Sequence, residues 1–304
     1  GLKTLEDQSS ILLSRGPDKT SPLLIPMMIG DMAAGSISMR YGAKGPNFGI
    51  VTACATACHS IGEASWIIKR GDADVMISGG AEATIVPIGF AGFCSMKAMS
   101  QRNSDPQKAS RPFDAERDGF VMSEGAGVLI LEEYEHARKR GAQIIAEIAG
   151  YGASADAYHI TSPSPDGSGA ANAMNTAIKH SKLSLDKISY INAHGTSTPL
   201  NDKYETLSIK RVFGEQARKL DISSTKGTMG HSLGAAGGLE TIVCAMAIKT
   251  GIIPPTINYE NPDPECDLCY TPNQAKNKEI NTAINVNLGF GGHNAALILK
   301  KLDF

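Results

Sequence analysis

The chain has 304 residues, with 29 Lys and Arg against 31 Asp and Glu, and a formal net charge of −2. Hydrophobic residues make up 42% of it, which is typical of a globular chain long enough for one large α/β unit or two similar halves. The near-neutral charge argues against a nucleic-acid-binding protein. The polar start is unlike a signal peptide, and no apolar run approaches a membrane span, so no membrane association is expected.

Residues 1–45 are expected to be irregular, because Gly16-Pro17, Pro22 and Pro26 interrupt them. Further along, apolar and polar patterns predict alternating strands and helices. Alternation of this kind predicts parallel strands covered by helices. The strands are predicted at 48–51, 72–80, 124–132, 143–151, 188–192, 220–223, 282–287 and 295–300, and the helices at 55–70, 134–140, 169–180, 203–213 and 235–248.

Cys54 lies between the predicted buried strand 48–51 and the predicted helix 55–70. The helix dipole and the free N–H groups of a helix start favour a thiolate there, and they supply an N–H for an oxyanion. A free cysteine is more often a small buried hydrophobe, so the local pattern leaves both interpretations open.

Two histidines have comparable settings. His194 follows the predicted strand 188–192 in a loop that contains Gly195 and Pro199, and His231 lies between a short strand and an apolar helix. A lone histidine is usually a hydrogen-bonded structural residue. Three such placements near strand ends, where α/β proteins collect their sites, favour a shared catalytic site.

The other cysteines and the last glycine turn are less informative. Cys266 and Cys269 have zinc-knuckle spacing, but no second pair or histidine matches it, so no metal site is expected. The glycine-rich segment 289–292 joins the two closing strands and is usually only a turn. Its alternative is a gate, in which Phe290 and its backbone N–H can move.

Several motifs resemble the signatures of the β-ketoacyl-(acyl-carrier-protein) synthases. They are Thr52-Ala-Cys-Ala55, Asn192-Ala-His-Gly-Thr-Ser-Thr198, Ser224-Thr-Lys226 with Gly230-His231 and Gly234-Ala-Ala-Gly237, and Gly289-Phe-Gly-Gly292. Arg111-Pro-Phe-Asp114, Arg117-Asp-Gly-Phe120 and Asp156-Ala-Tyr-His-Ile-Thr-Ser-Pro163 are also similar. The match is to the Cys-His-His class, most similar to the elongating synthase II, and it runs over essentially the whole chain.

The resemblance implies a thiolase-like α/β fold, in which two similar halves stack as α-β-α-β-α layers. The amino-terminal half, residues 1–152, would carry the nucleophile, and the carboxyl-terminal half, residues 153–304, both histidines. The opening strands of the first half have no counterpart in this chain, which puts the independent stability of the first sheet in doubt.

The resemblance also implies a reaction, the decarboxylative condensation of a malonyl thioester with an acyl chain held on Cys54. The N–H groups of Cys54 and Phe290 would form the oxyanion hole, while neutral His194 and His231 would donate to the enolate.

The resemblance also implies that two charged residues support this site. Lys226 would discourage protonation of a nearby imidazole. Glu240 would be a charge partner that orders the site, although its residue type alone fits a solvated helix glutamate equally well.

Substrate binding and docking are implied residue by residue. Thr196 and Thr198 resemble the residues that bind the pantetheine arm, with Thr161 as a further lining residue and Phe290 as the gate. Lys97 and Lys19 fall where the family presents basic residues to its carrier protein, although a surface lysine is usually only solvated.

The implied partners are acyl- and malonyl-loaded acyl carrier protein and a second copy of the chain, with the dimer contact along the strand that leads to Cys54. The resemblance implies no cofactor of the enzyme itself, because the substrates are carried on the phosphopantetheine of the acyl carrier protein. A cytoplasmic location is expected, with the plastid stroma as the alternative.

Four alternatives can be compared. A degradative thiolase would have a second catalytic cysteine near the last glycine turn, where this chain has His293-Asn294, and an initiating synthase would have Asn in place of His231. A polyketide-type ketosynthase is harder to separate. A catalytically silent fragment or scaffold subunit is disfavoured because Cys54, both histidines and Lys226 are present.

Overall fold

The computed structural model describes residues 1–302. Its helices are α1 Leu2–Arg15, α2 Leu24–Met28, α3 Met32–Tyr41, α4 Thr56–Lys69, α5 Pro87–Ser95, α6 Tyr134–Lys139, α7 Ser168–Ser181, α8 Pro199–Phe213, α9 Lys226–Met229 and α10 Ala236–Thr250. Its strands are β1 Val75–Glu82, β2 Gly125–Glu132, β3 Glu147–Ala155, β4 Tyr190–Asn192, β5 Asp221–Ser223, β6 Ile252–Ile253, β7 Lys276–Asn277, β8 Thr282–Gly289 and β9 His293–Lys300.

The largest sheet is mixed and has the strand order β3-β9-β8-β4-β5. β4 pairs in parallel with β5 and β8, as the alternating pattern predicts. β9 is antiparallel to both β8 and β3, so the prediction of parallel pairing is wrong for these strands. The reason is the short connection between β8 and β9, since only antiparallel neighbours can be joined by a tight turn.

Alternate side chains of this sheet enter two different cores, as the two-residue period of a strand requires. Ile284 and Ile298 face α7 and α8 on one side, whereas Ala283 and Leu297 face α4 and α10 on the other. α4 and α10 also pack against β1 and β2 on their far side. The layers are therefore helix, sheet, helix and sheet, with α4 and α10 in the middle.

β1 and β2 form a separate two-stranded antiparallel sheet. The sequence predicts two buried strands here, but only one face of the sheet is covered. Val75, Ile77, Val128 and Ile130 on the other face are 36–61% exposed. The apolar run predicts the strands themselves correctly, but burial depends on a second covering layer that residues 1–302 do not supply.

The prediction of an irregular segment over residues 1–45 is wrong, because α1, α2 and α3 lie there. Gly16, with a φ of 84°, ends α1, and Pro17 begins the next helical turn. The breakers thus delimit helices instead of preventing them. None of the three helices buries a residue within the described structure, yet Leu2, Leu5 and Leu12 of α1 do lie at helical spacing, so the error came from giving the breakers more weight than the periodicity.

The strand predicted at residues 48–51 is absent from the described structure. Phe48 and Val51 are 53% and 79% exposed. A strand needs a hydrogen-bonded neighbour, and none lies beside this segment within residues 1–302. The strand predicted at 143–151 lies four residues later, as β3, and the predicted boundary after residue 152 falls inside it.

One helical segment contradicts the expectation that no apolar run could span a membrane. The window Leu233–Thr250 has a mean hydropathy of 1.2 and the required length, but 61% of it is buried inside the protein. It is the central core helix α10 with its leading turn, and contact with two sheets explains its composition.

Close packing of β3 on α7 generates a prediction about stability. A Cβ atom on Gly152 would lie 2.0 Å from the Ala173 carbonyl oxygen and 2.6 Å from the Ala177 nitrogen. Gly152→Ala should therefore lower the free energy of unfolding by about 3 kcal/mol or more, because backbone atoms must move apart. Urea denaturation measures this. Gly92→Ala on α5 is the matched control, because a Cβ there would meet no atom within 4 Å beyond its own helix backbone, and it should be neutral or stabilise by up to about 1 kcal/mol. Equal midpoints for the two variants would contradict the packing.

Candidate active site

Two short 3₁₀ turns, Ala53–Ala55 and Leu233–Ala235, lead directly into α4 and α10. Each turn begins with a non-glycine residue at positive φ, 50° at Ala53 and 48° at Leu233. Such strained residues persist only where their surroundings hold them, and they cluster at functional sites. Cys54 therefore lies at the start of a helix as predicted, although no strand precedes it.

A cavity of about 360 Å³ opens in front of Cys54. Cys54, His194 and His231 all line it and are only 8%, 4% and 3% exposed. The two imidazole rings are perpendicular, with centroids 5.3 Å apart. The structure thus brings together three side chains that are up to 177 positions apart in the sequence.

Most of the other predicted site residues surround the same cavity, namely Thr161, Thr196, Thr198, Phe290 and Lys97. The hydroxyls of Thr196 and Thr198 are 2.9 Å apart and hydrogen-bonded to each other. Lys226 and Glu240 lie behind the cavity wall and are buried. Lys19 lies apart from them, on the exposed turn Pro17–Lys19.

Burial raises the pKa of the Cys54 thiol to about 12, although the positive charge of Lys226 opposes the shift. The sequence-based expectation that the helix start favours a thiolate is therefore overridden by desolvation in this structure. The resting group is a thiol, so its proton must leave during attack. A nearby neutral imidazole can accept such a proton.

Burial lowers the pKa values of His194 and His231 well below the usual range, and the charge of Lys226 lowers both further. Both imidazoles are therefore neutral at pH 7, as the sequence predicts. A neutral imidazole offers one N–H donor and one acceptor. The Nδ1 atoms of both rings are buried and have no hydrogen-bond partner among residues 1–302.

Lys226 and Glu240 form a direct buried ion pair between α9 and α10. The second Glu240 carboxylate oxygen accepts a hydrogen bond of 2.6 Å from the Asn287 amide on β8. The alternative interpretation of Glu240 as a solvated helix residue is therefore wrong. The pair places the Lys226 ammonium near the two histidines, and the Glu240 carboxylate compensates its charge and holds it in position.

The Phe290 segment begins against the turn that carries Cys54. A Cβ atom on Gly289 would lie 2.4 Å from the Thr52 carbonyl oxygen and 3.3 Å from the Cys54 nitrogen. Only glycine permits this approach. The predicted oxyanion hole, made of the Cys54 and Phe290 N–H groups, requires this proximity. Phe290 itself is 36% exposed at the cavity wall.

Glu205 is a buried residue of the site that the sequence analysis missed. Its two carboxylate oxygens accept hydrogen bonds of 2.7 and 2.8 Å from the backbone N–H groups of His194 and Gly195. Burial raises its pKa to about 7, against the effect of these hydrogen bonds. Its place on the same helical face as buried Ile209 and Val212 is the signal that could have found it.

An apolar wall beside Cys54 also escaped prediction. Phe120, Met122 and Leu233 cluster with the cysteine, and Phe93 packs against them. Phe93, Phe120 and Leu233 line the cavity. They come from separate parts of the chain, so no local pattern connects them. The wall suits a hydrocarbon chain attached to the thiol.

Comparison with known proteins decides the family. The family model "Beta-ketoacyl synthase, N-terminal domain" matches residues 2–137, and "Beta-ketoacyl synthase, C-terminal domain" matches residues 145–260. The chain is 54% identical over 301 residues to 3-oxoacyl-[acyl-carrier-protein] synthase 2 of Synechocystis sp., covering 99% of this chain and 72% of that protein. The chain belongs to the β-ketoacyl synthase family. The protein of the same name from Staphylococcus aureus is 51% identical, with 100% and 73% covered.

Solved structures show the same fold. A β-ketoacyl synthase from Burkholderia phymatum superimposes with a TM-score of 0.93 at 37% identity, covering 100% of this chain and 73% of that one. The AntDE:AntF complex, a type II PKS acyl-carrier protein with its ketosynthase bound to the hexaketide, gives a TM-score of 0.96 at 38% identity, with 99% and 76% covered. The predicted thiolase-like layered fold is confirmed.

The buried ion pair of this β-ketoacyl synthase generates a second prediction. Lys226→Met should lower the free energy of unfolding by about 3–5 kcal/mol, because it leaves the Glu240 carboxylate buried without its partner. The double variant with Glu240→Gln removes both charges and keeps the contact with Asn287, so it should recover much of that loss. Urea denaturation of the two single variants and the double variant tests this. Strict additivity of the two single effects would show that the residues do not interact.

Proposed function

We propose that this chain is an elongating 3-oxoacyl-acyl-carrier-protein synthase, a condensing acyltransferase of fatty-acid synthesis. The observation that carries the proposal is the convergence of one cysteine and two neutral, buried histidines on a single cavity with an apolar wall. The names and the 51–54% identity of the curated relatives support it.

The first half-reaction is transfer of the acyl group to Cys54. The sulfur attacks the thioester carbonyl, and the negative charge on oxygen is met by the N–H groups of Cys54 and Phe290. The carbon–sulfur bond to the carrier breaks, and its thiolate leaves with the proton of Cys54, which an imidazole can relay. The products are an acyl-Cys54 thioester and a free carrier thiol.

The second half-reaction begins with a malonyl thioester. Its carbon–carbon bond to the carboxylate breaks, CO₂ leaves, and the electron pair forms an enolate. The N–H donors of neutral His194 and His231 stabilise the enolate oxygen, and Lys226 keeps both rings from being protonated.

The last step joins the two groups. The enolate carbon attacks the acyl-Cys54 carbonyl, the carbon–sulfur bond breaks, and the departing Cys54 thiolate takes up a proton from water to restore the resting thiol. The product is a 3-oxoacyl thioester two carbons longer. All acyl groups enter and leave as carrier thioesters, so the reaction needs no further cofactor.

The carrier would approach the open side of the cavity. Thr161, Thr196 and Thr198 line that cavity and provide hydroxyls for the amide-containing pantetheine arm. Exposed Lys97 lies on the cavity wall, and Lys19 on an exposed turn, where they can pair with an acidic partner. The related ketosynthase in complex with its acyl-carrier protein supports such docking.

Acylation by mass spectrometry tests the proposed reaction. After mixing with an acyl-carrier-protein thioester, the wild-type chain should gain one acyl mass, and Cys54→Ala should gain none. His194→Ala and His231→Ala should still be acylated, but condensation with malonyl thioester should fall at least ~100-fold, because each loses a donor to the enolate. A folded wild-type chain that gains no acyl mass would contradict the proposal and favour the silent scaffold.

A polyketide-type ketosynthase is the second candidate, and the resemblance to the AntDE:AntF ketosynthase favours it. The identity is lower there, 38% against 54% for the synthase 2 relative. Product analysis in the same assay separates the two, since an elongating synthase stops after one condensation, whereas a polyketide ketosynthase extends the unreduced product again.

We also propose a homodimer, formed along the segment 48–51 that leads to Cys54. Its exposed apolar residues Phe48 and Val51 support this. Exposed apolar side chains on one segment are costly in water, and a second copy would cover them.

Light scattering tests the dimer. The wild-type protein should have twice the 32.0 kDa chain mass, and Val51→Lys should move it toward the single chain, because a charge in an apolar contact is not solvated. Tyr134→Lys on α6, an exposed residue outside that surface, is the control and should change nothing. A monomeric wild-type protein would refute the dimer.

A further inference from the structure

Glu82, the last residue of β1, makes a contact that none of the motifs above explains. Its carboxylate oxygen Oε2 accepts a hydrogen bond of 3.1 Å from the backbone N–H of Gly234, which lies 152 positions away. Gly234 is the middle residue of the turn that starts α10. A partly buried carboxylate therefore satisfies one of the N–H groups that a helix start leaves open.

The end of β1 also touches the turn that carries Cys54. A Cβ atom on Gly80 would lie 2.4 Å from the Gly234 carbonyl oxygen and 2.8 Å from the Ala57 Cβ on α4. A Cβ atom on Gly234 would lie 4.0 Å from the Ala53 carbonyl oxygen. Glu82 thus stands at a junction of β1 with both helix-starting turns.

The two turns are equivalent in geometry. Cys54 and Gly234 each follow a residue at positive φ, and each is the second residue of a 3₁₀ turn that precedes a long helix. At the first turn, the N–H group is expected to receive the oxyanion of the substrate. At the second turn, the protein supplies the anion itself, as the carboxylate of Glu82.

We propose that Glu82 is a positioning residue of the nucleophile: its carboxylate holds the Leu233–Ala235 turn against the Cys54 turn, and its negative charge opposes formation of the Cys54 thiolate. The inference deepens the proposed function and rests on it for the role of Cys54. Leu233 is strained, lines the cavity beside the cysteine, and depends on contacts such as this one to keep its conformation.

The charges around Cys54 make the second part testable. Burial has the largest effect on the pKa of the Cys54 thiol. Among charged groups, Lys226 lowers this pKa, whereas Glu82 and Glu240 raise it. His194 and His231 are neutral neighbours in the cavity. Two further charged residues, Lys97 and Asp118, lie on the cavity wall.

The charge effect is measured by alkylation of Cys54 with iodoacetamide as a function of pH, followed by peptide mass mapping. Glu82→Gln keeps an oxygen acceptor for Gly234 and removes the charge, so the alkylation rate at pH 7 should rise about threefold, about half of one pKa unit. Glu135→Gln is the matched control. Its carboxylate accepts hydrogen bonds from Arg138 on exposed α6, and its charge is not among those acting on Cys54 or on Glu82. A Glu82→Gln profile that superimposes on the wild-type profile would refute the charge effect.

The positioning effect is measured by the rate of Cys54 acylation from a carrier thioester. Glu82→Ala removes the acceptor and should slow acylation at least ~10-fold relative to Glu82→Gln, because the turn loses its anchor. Equal acylation rates for the two variants would refute positioning. Alkylation does not depend on acyl transfer, so it tests the charge effect of Glu82 even if the proposed function is wrong. A wild-type chain that is alkylated but never acylated would contradict the proposed function and leave the alkylation result on Glu82 valid.

Discussion

The close approach of α10 to α4 is the contact on which the site depends. A Cβ atom on Gly237 would lie 2.6 Å from the Cys58 nitrogen of α4, and one on the next residue, Gly238, would lie 2.2 Å from the Gly127 carbonyl oxygen of β2, so α10 is held closely against both elements. Backbones can come this near only where side chains are missing. Because the helices start side by side, their leading turns meet, and Cys54 and Leu233 face one cavity.

Burial in this middle layer sets the protonation states. Desolvation raises the pKa of the Cys54 thiol and lowers those of both histidines, so the three resting groups are all uncharged at pH 7. One positive charge, on Lys226, remains among them and is held by Glu240. In a medium of low dielectric constant, even a paired charge acts strongly on its neighbours, and Lys226 lowers the pKa of both imidazoles further. The site is thus arranged for an enolate and an oxyanion, and not for a standing thiolate.

The two halves use the same device for different purposes. Each has a strained residue that opens a 3₁₀ turn, and the turn leads into the N-terminus of a long helix. In the first half that N-terminus carries the nucleophile, whereas in the second it is occupied by a carboxylate of the first half. The same structural unit therefore occurs twice, with the N-terminus of α4 available for chemistry and the N-terminus of α10 bound by Glu82 as part of the framework around the site.

Local pattern predicted the elements that bury a regular face or form a continuous apolar run. α4, α7, α10 and the strands β8 and β9 lie within a few residues of their predicted places. α1 to α3 bury no residue among residues 1–302 and are separated by glycine and proline breakers, which favoured an irregular segment although Leu2, Leu5 and Leu12 of α1 lie at helical spacing. The segment 48–51 has the composition of a strand, yet strand formation requires a partner, and composition cannot supply one.

The sequence by itself determined which residues could do chemistry, because Cys54, His194, His231 and Lys226 stand in motifs whose spacing is specific to one family. Only the tertiary structure decided their protonation, their distances and their supports. Glu82 and the apolar wall act across long sequence separations, and the pKa of Cys54 depends on how much water its neighbours exclude. Burial and long-range contact are properties of the packed layers, so no local pattern of residues contains them.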